Sequence, residues 1–189
     1  MGRVGVLALQ GDFAEHLRAL RRCEVTGMLV RTPEDLEHVD ALILPGGEST
    51  TMLKLADRVG LREPLKKRIH GGMPAFGTCA GAIVMANRVS DGETPLGILD
   101  LQVNRNAYGR QVDSFEADVE VEGIAGGPMR AVFIRAPVFE DPGKEVRVLA
   151  EWGGRPVVVR SDNILASAFH PELTDDPRLH RWFLEEICD

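Results

Sequence analysis

Short apolar runs alternate along this chain with stretches in which apolar positions recur every three or four residues. Residues 4–9, Val-Gly-Val-Leu-Ala-Leu, form the first run and predict a buried strand. Residues 13–22 follow with apolar positions at Phe13, Leu17 and Leu20, the spacing of one helical face. A second short strand is predicted at 28–30. Thr32-Pro33-Glu34 then reads as a helix start, with threonine as cap and proline in the first turn. A third strand, 40–44, ends at Pro45-Gly46-Gly47, and helical patterns cover 50–57 and 63–69. Gly71-Gly72 breaks the chain before a fourth strand, 74–78, which runs into a helix predicted over 80–87. From Phe115 onward the pattern changes to strands with short turns, at 117–121, 130–134, 146–151, 156–160 and 164–168, closed by a helix over 177–187.

Strand and helix in strict alternation imply parallel strands joined by right-handed crossovers. The strand-rich second half adds pairs that are partly antiparallel. The expected fold is therefore a three-layer α/β/α domain with a mixed, mostly parallel sheet. Without repeat, low-complexity tract or linker, the expectation is one domain over residues 1–189.

Composition narrows the function. A chain of 189 residues with 44% hydrophobic content is long enough for one well-buried core. The net charge of -7 argues against nucleic acid as the main partner, because phosphate contacts need a basic surface. No run approaches the roughly 18–20 apolar residues that span a bilayer, and the first residues lack a signal-peptide cleavage pattern. Three cysteines without a C-x-x-C pair fit a reducing cytoplasm better than a disulfide framework.

The sharpest chemical feature is Phe76-Gly77-Thr78-Cys79-Ala80-Gly81 at a strand-to-helix junction. It has the form of a nucleophile elbow with cysteine in place of serine. A turn that tight strains the backbone of its central residue, and glycines on either side relieve the crowding. The amide of Ala80, next after Cys79, is a natural oxyanion donor. The alternative is a buried structural cysteine in a glycine-rich turn, and that reading is preferred for Cys23 and Cys188.

A thiol nucleophile needs a base, and five histidines are available. His16, His38, His70 and His180 sit in charged or helical surroundings, which predicts a solvated face for each. His170 differs: it follows an apolar strand and opens His170-Pro171-Glu172. In extended chain, residues two apart point the same way, so Glu172 can orient the imidazole and complete a Cys79–His170–Glu172 triad. The loop Leu44-Pro45-Gly46-Gly47-Glu48-Ser49-Thr50 ends the third strand, where ligands on such sheets bind. Its glycines can supply a second oxyanion donor near Gly47, and Ser49 or Thr50 can also cap the next helix. The Gly-Lys-Ser/Thr ending of a phosphate loop is missing. Two isolated ligands, Cys79 and His170, fall short of a zinc site. No metal and no cofactor are expected.

In that order, the elbow, the Pro45-Gly46-Gly47-Glu48 loop and His170-Pro171-Glu172 resemble class I glutamine amidotransferases. More narrowly, the chain resembles the glutaminase subunits of pyridoxal 5′-phosphate synthases. That likeness rests on Leu9-Gln10-Gly11, Arg105-Asn106, the run Gly109-Arg110-Gln111-Val112-Asp113-Ser114-Phe115-Glu116, Phe133-Ile134-Arg135-Ala136-Pro137 and Phe169-His170-Pro171-Glu172-Leu173-Thr174. The resemblance implies that L-glutamine binds over Cys79 with help from Gly46, Gly47, Glu48, Ser49, Arg105, Ile134 and Arg135. It implies a thioester route to glutamate and ammonia, and a (β/α)8-barrel synthase subunit as partner, with Gln10 close to that interface. The chemistry agrees: Glu48 can meet the ammonium of glutamine, and Arg105 or Arg135 its carboxylate. The competing readings are another cysteine hydrolase on a similar sheet, the glutaminase of a different amidotransferase, and a non-catalytic regulatory subunit that keeps the fold.

Overall fold

A computed structural model describes residues 2–90, 92–105 and 114–188. The first half builds β1 (Val4–Leu7), α1 (Phe13–Arg22), β2 (Met28–Val30), α2 (Pro33–Glu37), β3 (Ala41–Leu44), α3 (Ser49–Arg58), α4 (Arg62–His70), β4 (Ala75–Thr78) and α5 (Ala80–Met85). The second half contains β5 (Ala86–Val89), β6 (Leu99–Asn104), β7 (Ser114–Val119), β8 (Met129–Ile134), β9 (Val138–Glu140), β10 (Arg147–Trp152), β11 (Arg155–Ser161) and β12 (Ile164–Ser167). A single 3₁₀ turn, Pro171–Leu173, and α6 (Arg178–Glu186) close it.

The central sheet has the order β10-β11-β12-β4-β3-β1-β2. Its β2-β1-β3-β4-β12 part is parallel, while β10 and β11 join antiparallel. It is the mixed, mostly parallel α/β sheet the alternation implies. Every residue of β1, β3, β4 and β12 is buried, as expected of parallel strands covered on both faces. The chain steps from β1 outward to β2 and then back to β3. Right-handed crossovers therefore put α1 on one face and α2 on the other. Contacts agree: α1 packs with α6, whereas α2, α3, α4 and α5 pack among themselves. The capping box expected at Thr32 is present, with Asp35 as its second member.

Four expectations need correction. Strand β1 stops at Leu7, because the chain bends into a turn at Gly11 (φ +95°) that runs against the Gly46 carbonyl. The helix predicted over 80–87 ends at Met85. The carbonyls of Val84, Met85 and Ala86 are taken by the amides of Leu96, Ile98 and Gly97, so the helix cannot continue and β5 begins. Strands β6 and β9 were not expected; with β5 they form a small separate sheet. Finally, β7 begins at Ser114 and pairs with β8 in an antiparallel ribbon outside the main sheet, where Phe115 stacks on Phe133 at 4.5 Å. Asn106 and Gly109 to Asp113 lie outside the described residues.

Candidate active site

Three strand ends bring the site together. At the end of β4, Cys79 adopts φ +48°, ψ -104°, a strained conformation for a residue with a side chain. The flanking glycines are required by space. A Cβ on Gly77 would lie 2.4 Å from Met85 Cε, and one on Gly81 would lie 2.0 Å from the Leu44 carbonyl oxygen. The Cys79 amide donates to Ser167 O at 2.9 Å, and its carbonyl accepts from Ile83 at 3.2 Å, so both neighbouring strand and helix hold the turn.

Beyond β12, His170 donates its backbone N–H to Val132 O at 2.8 Å, and its Nδ1 meets Glu172 Oε1 at 2.8 Å. Both side chains are buried. Burial opposes the imidazolium, but hydrogen bonds with the Cys79 and Glu172 side chains outweigh it and raise His170 to about 10. Burial also opposes charge on Glu172, yet His16 and His170 hold it well below the usual carboxylate range.

The third wall is the 44–50 loop after β3. Gly46 fits because it has no side chain: a Cβ there would stand 2.3 Å from His170 Cε1. Gly47 (φ +145°) faces Gln10, whose Oε1 accepts from the Glu48 amide at 2.8 Å, while the Asp12 amide donates to Gly46 O at 3.1 Å. The 10–12 turn thus clasps the glycine loop. Together with Cys79, Ala80 and His170, residues Gln10, Gly47, Glu48, Ser49, Arg105, Ile134 and Arg135 line one cleft of about 530 Å³. Glu172 stands behind the imidazole and Gly46 beneath it. Cys79 Sγ reaches Ile134 O at 4.0 Å. Arg135 stands exposed at the rim with φ +42°.

This cleft belongs to a protein with close relatives. The model of the SNO glutamine amidotransferase family matches residues 6–189. The chain belongs to that family. It is 58% identical to the pyridoxal 5′-phosphate synthase subunit PdxT of Thermus thermophilus, over 97% of both chains. It is 57% identical to the PdxT subunit of Acidothermus cellulolyticus, over 98% of this chain and 94% of the relative. A crystal structure of a glutamine amidotransferase superposes with a TM-score of 0.92 at 55% identity, covering 97% of this chain and 98% of the other. The chain is thus a glutamine amidotransferase, an enzyme that hydrolyses glutamine.

Within this amidotransferase Glu48 and Arg105, two charged groups of the cleft, are already engaged with each other. Glu48 caps α3, accepting from the amides of Thr50 and Thr51, and its Oε1 lies 3.3 Å from Arg105 Nη2. Burial works against that charge, but the threonine hydrogen bonds hold its carboxyl down at about 2. Arg105 also bonds Thr50 Oγ1 at 3.2 Å and lies 3.5 Å from Glu93 Oε2. Ser49 donates to the same Glu93 oxygen at 2.8 Å. Asp12, His170 and Glu172 present ligand atoms within 4.8 Å of one another, but a metal there would have to replace the Nδ1–Glu172 bond.

Sequence reasoning missed Asp12, Thr78 and Glu93, and misplaced two histidines. His38 and His70 are exposed as expected, but His16 and His180 are fully buried. The signal was present: His16 completes the stripe of Phe13, Leu17 and Leu20, and His180 stands one turn before Leu184. Cys23 and Cys188 are half-buried against the core, not buried. No helix among the described residues is long and apolar enough to cross a membrane.

Proposed function

We propose that Cys79, His170 and Glu172 carry out the hydrolysis, and that the ammonia serves pyridoxal 5′-phosphate synthesis on a partner synthase subunit. The Cys79 thiolate attacks the side-chain amide carbon of glutamine. The amides of Gly47 and Ala80 stabilise the oxyanion. Charged His170 gives its proton to the departing ammonia, leaving a thioester and a neutral imidazole. That imidazole then takes a proton from water, which attacks the thioester and releases glutamate. Glu172 keeps the imidazole oriented and stabilises its charged form. Arg105 and Arg135 meet the substrate carboxylate, and Glu48 with Ser49 shapes the opposite wall.

The observation that carries this reading is the alignment of an elbow cysteine, a histidine raised to about 10 and a buried carboxylate at 2.8 Å from it. The 189 residues act as one catalytic domain, in the cytoplasm, with Gln10 and the glycine loop at the face toward the (β/α)8-barrel partner. The test is glutamate release from glutamine, with and without a purified pyridoxal 5′-phosphate synthase subunit, beside Cys79→Ala. Stimulation by the partner that vanishes in the mutant is the expected result. Hydrolysis without stimulation would reassign the acceptor, and unaltered hydrolysis by Cys79→Ala would remove the triad.

A further inference from the structure

Behind the triad lies a second set of buried polar groups that the proposed reaction does not use. His16 on α1 and His180 on α6 are fully buried, and His16 Nδ1 meets His180 Nε2 at 2.9 Å. On its other side, His16 Nε2 lies 3.1 Å from Thr78 Oγ1 and 3.5 Å from Glu172 Oε1. Thr78 Oγ1 in turn donates to Glu172 Oε1 at 3.3 Å. His170 reaches that same oxygen from the catalytic side. Glu172 Oε2, by contrast, has no hydrogen-bond partner among the described residues. Among the described residues, every donor converges on one oxygen of a carboxylate whose side chain is fully buried.

The hydrogen-bond inventory assigns a direction to this chain. His180 Nδ1 is buried without a partner among the described residues, and a bare lone pair there costs less than an orphaned N–H. The proton of neutral His180 therefore sits on Nε2 and is donated to His16 Nδ1. His16 must then carry its own proton on Nε2, donating toward Thr78 and Glu172, which frees the threonine hydroxyl to donate to Glu172. Each bond polarises the next in a medium of low dielectric. Burial keeps His180 neutral, lowering it to about 3.

We propose that His16, oriented by His180 and acting through Thr78, is a positioning residue that keeps Glu172 ionised and aimed at His170. The proposal rests on the triad reading given above. Two helices place an imidazole on their apolar stripes, next to Phe76 and Phe183, where an aliphatic side chain would pack without any polar cost. The polar path ends on the triad acid. Thr78 is also the residue immediately before the nucleophile, so the path couples the elbow to the acid. The titratable groups facing Glu172 are His170 on its own turn, His16 from α1 and His180 from α6, with Asp12 across the imidazole at 3.6 Å from His170 Nδ1. With the His16 donor gone, burial dominates and Glu172 takes up a proton at higher pH.

The experiment compares pH profiles of glutamine hydrolysis by the full chain, with the synthase subunit present, for wild type, His16→Leu, His16→Gln, Thr78→Val and Cys79→Ala. His16→Leu is expected to lower kcat about 10- to 100-fold, the loss that follows deletion of one hydrogen bond to a charged group, with KM within about twofold. The acid limb of its kcat/KM profile moves upward by about one pH unit or more. Thr78→Val breaks the path without a change of shape and gives the same upward shift. His16→Gln returns a donor beside Thr78 and restores most of kcat and the wild-type acid limb. A wild-type acid limb in both His16→Leu and Thr78→Val would overturn the proposal, whatever their stability. Should His16→Leu fail to fold, the profiles of His16→Gln and Thr78→Val decide. If Cys79→Ala hydrolyses glutamine normally, the triad itself is wrong; if it is inactive while the other profiles are unchanged, only the role of His16 falls.

Discussion

Gly46→Ala probes how tightly the glycine loop is fitted to the catalytic imidazole. The added Cβ would lie 2.3 Å from His170 Cε1, 2.8 Å from Nδ1 and 3.2 Å from Asp12 Oδ2. Ordinary contact begins at 3.4 Å, so ring and loop must separate by about 1 Å. The loop resists, because the Asp12 amide holds the Gly46 carbonyl and Gln10 holds the Glu48 amide. The ring must therefore move, and that movement strains its 2.8 Å bond to Glu172. Misplacing a catalytic group by this much costs on the order of 10²-fold in rate, and the overpacking costs about 1–3 kcal/mol of stability. The assay is kcat and KM for glutamine hydrolysis beside a urea unfolding curve. Gly60→Ala serves as the control: at φ +72° with nothing within 4 Å, it introduces only backbone strain, about 1 kcal/mol, and leaves kcat unchanged. A folded Gly46→Ala enzyme with kcat within about threefold of wild type would refute the steric reasoning.

Four further outcomes follow from the geometry. Cys79→Ala and Cys79→Gly both lose hydrolysis, but the glycine variant relieves the φ +48° strain and is more stable in urea than the alanine variant by about 1 kcal/mol; equal midpoints would mean that the elbow is unstrained. His170→Asn loses activity as completely as Cys79→Ala, whereas Glu172→Gln keeps a measurable fraction because its role is orientation; steady-state rates rank the three, and a fully inactive but folded Glu172→Gln contradicts that role. Arg105→Ala raises KM for glutamine more than it lowers kcat if, as proposed, it meets the substrate carboxylate; an unchanged KM would exclude Arg105 from binding. Stability peaks near neutrality and falls on both sides. His170, raised to about 10, contributes stability present in full below about 6.5 and lost as pH rises through 10. Glu172, depressed, contributes above about 4.5 and loses it as pH falls through its folded value. His180, held near 3, leaves the unfolded chain binding one more proton between 6.5 and 3, so stability declines by about 1.4 kcal/mol per pH unit there. Urea midpoints from pH 4 to 9 check this, and a His180→Leu variant with an undiminished acid slope contradicts the His180 share.

The sequence by itself determined the parts of this protein that rest on local chemistry. The strand-to-helix turn at Cys79 was legible from Gly77 and Gly81 on either side of it, although the group that Gly81 makes room for is the Leu44 carbonyl of β3. The pairing of His170 with Glu172 was legible from their spacing, although Glu172 reaches the imidazole from a 3₁₀ turn over Pro171–Leu173 and not from the extended chain expected. The alternation of apolar runs implies a mostly parallel sheet covered on both faces. The Leu99–Asn104 strand was not expected, although the inward alternation of Leu99, Leu101 and Val103 carried its signal. What tertiary structure decided is which distant groups share one point in space. Glu48 reads as a free carboxylate for an ammonium, but only the fold shows it capping α3 beside Arg105, 57 residues away. Helix α5 ends at Met85 because the segment from Leu96 to Ile98 takes its carbonyls, a competition that no propensity encodes. His16 and His180 lie 164 residues apart, and only the packing of α1 against α6 makes them neighbours. A polar side chain on an apolar stripe is solvated or buried according to whether a partner waits beneath it. That partner, Glu172, belongs to the far end of the chain.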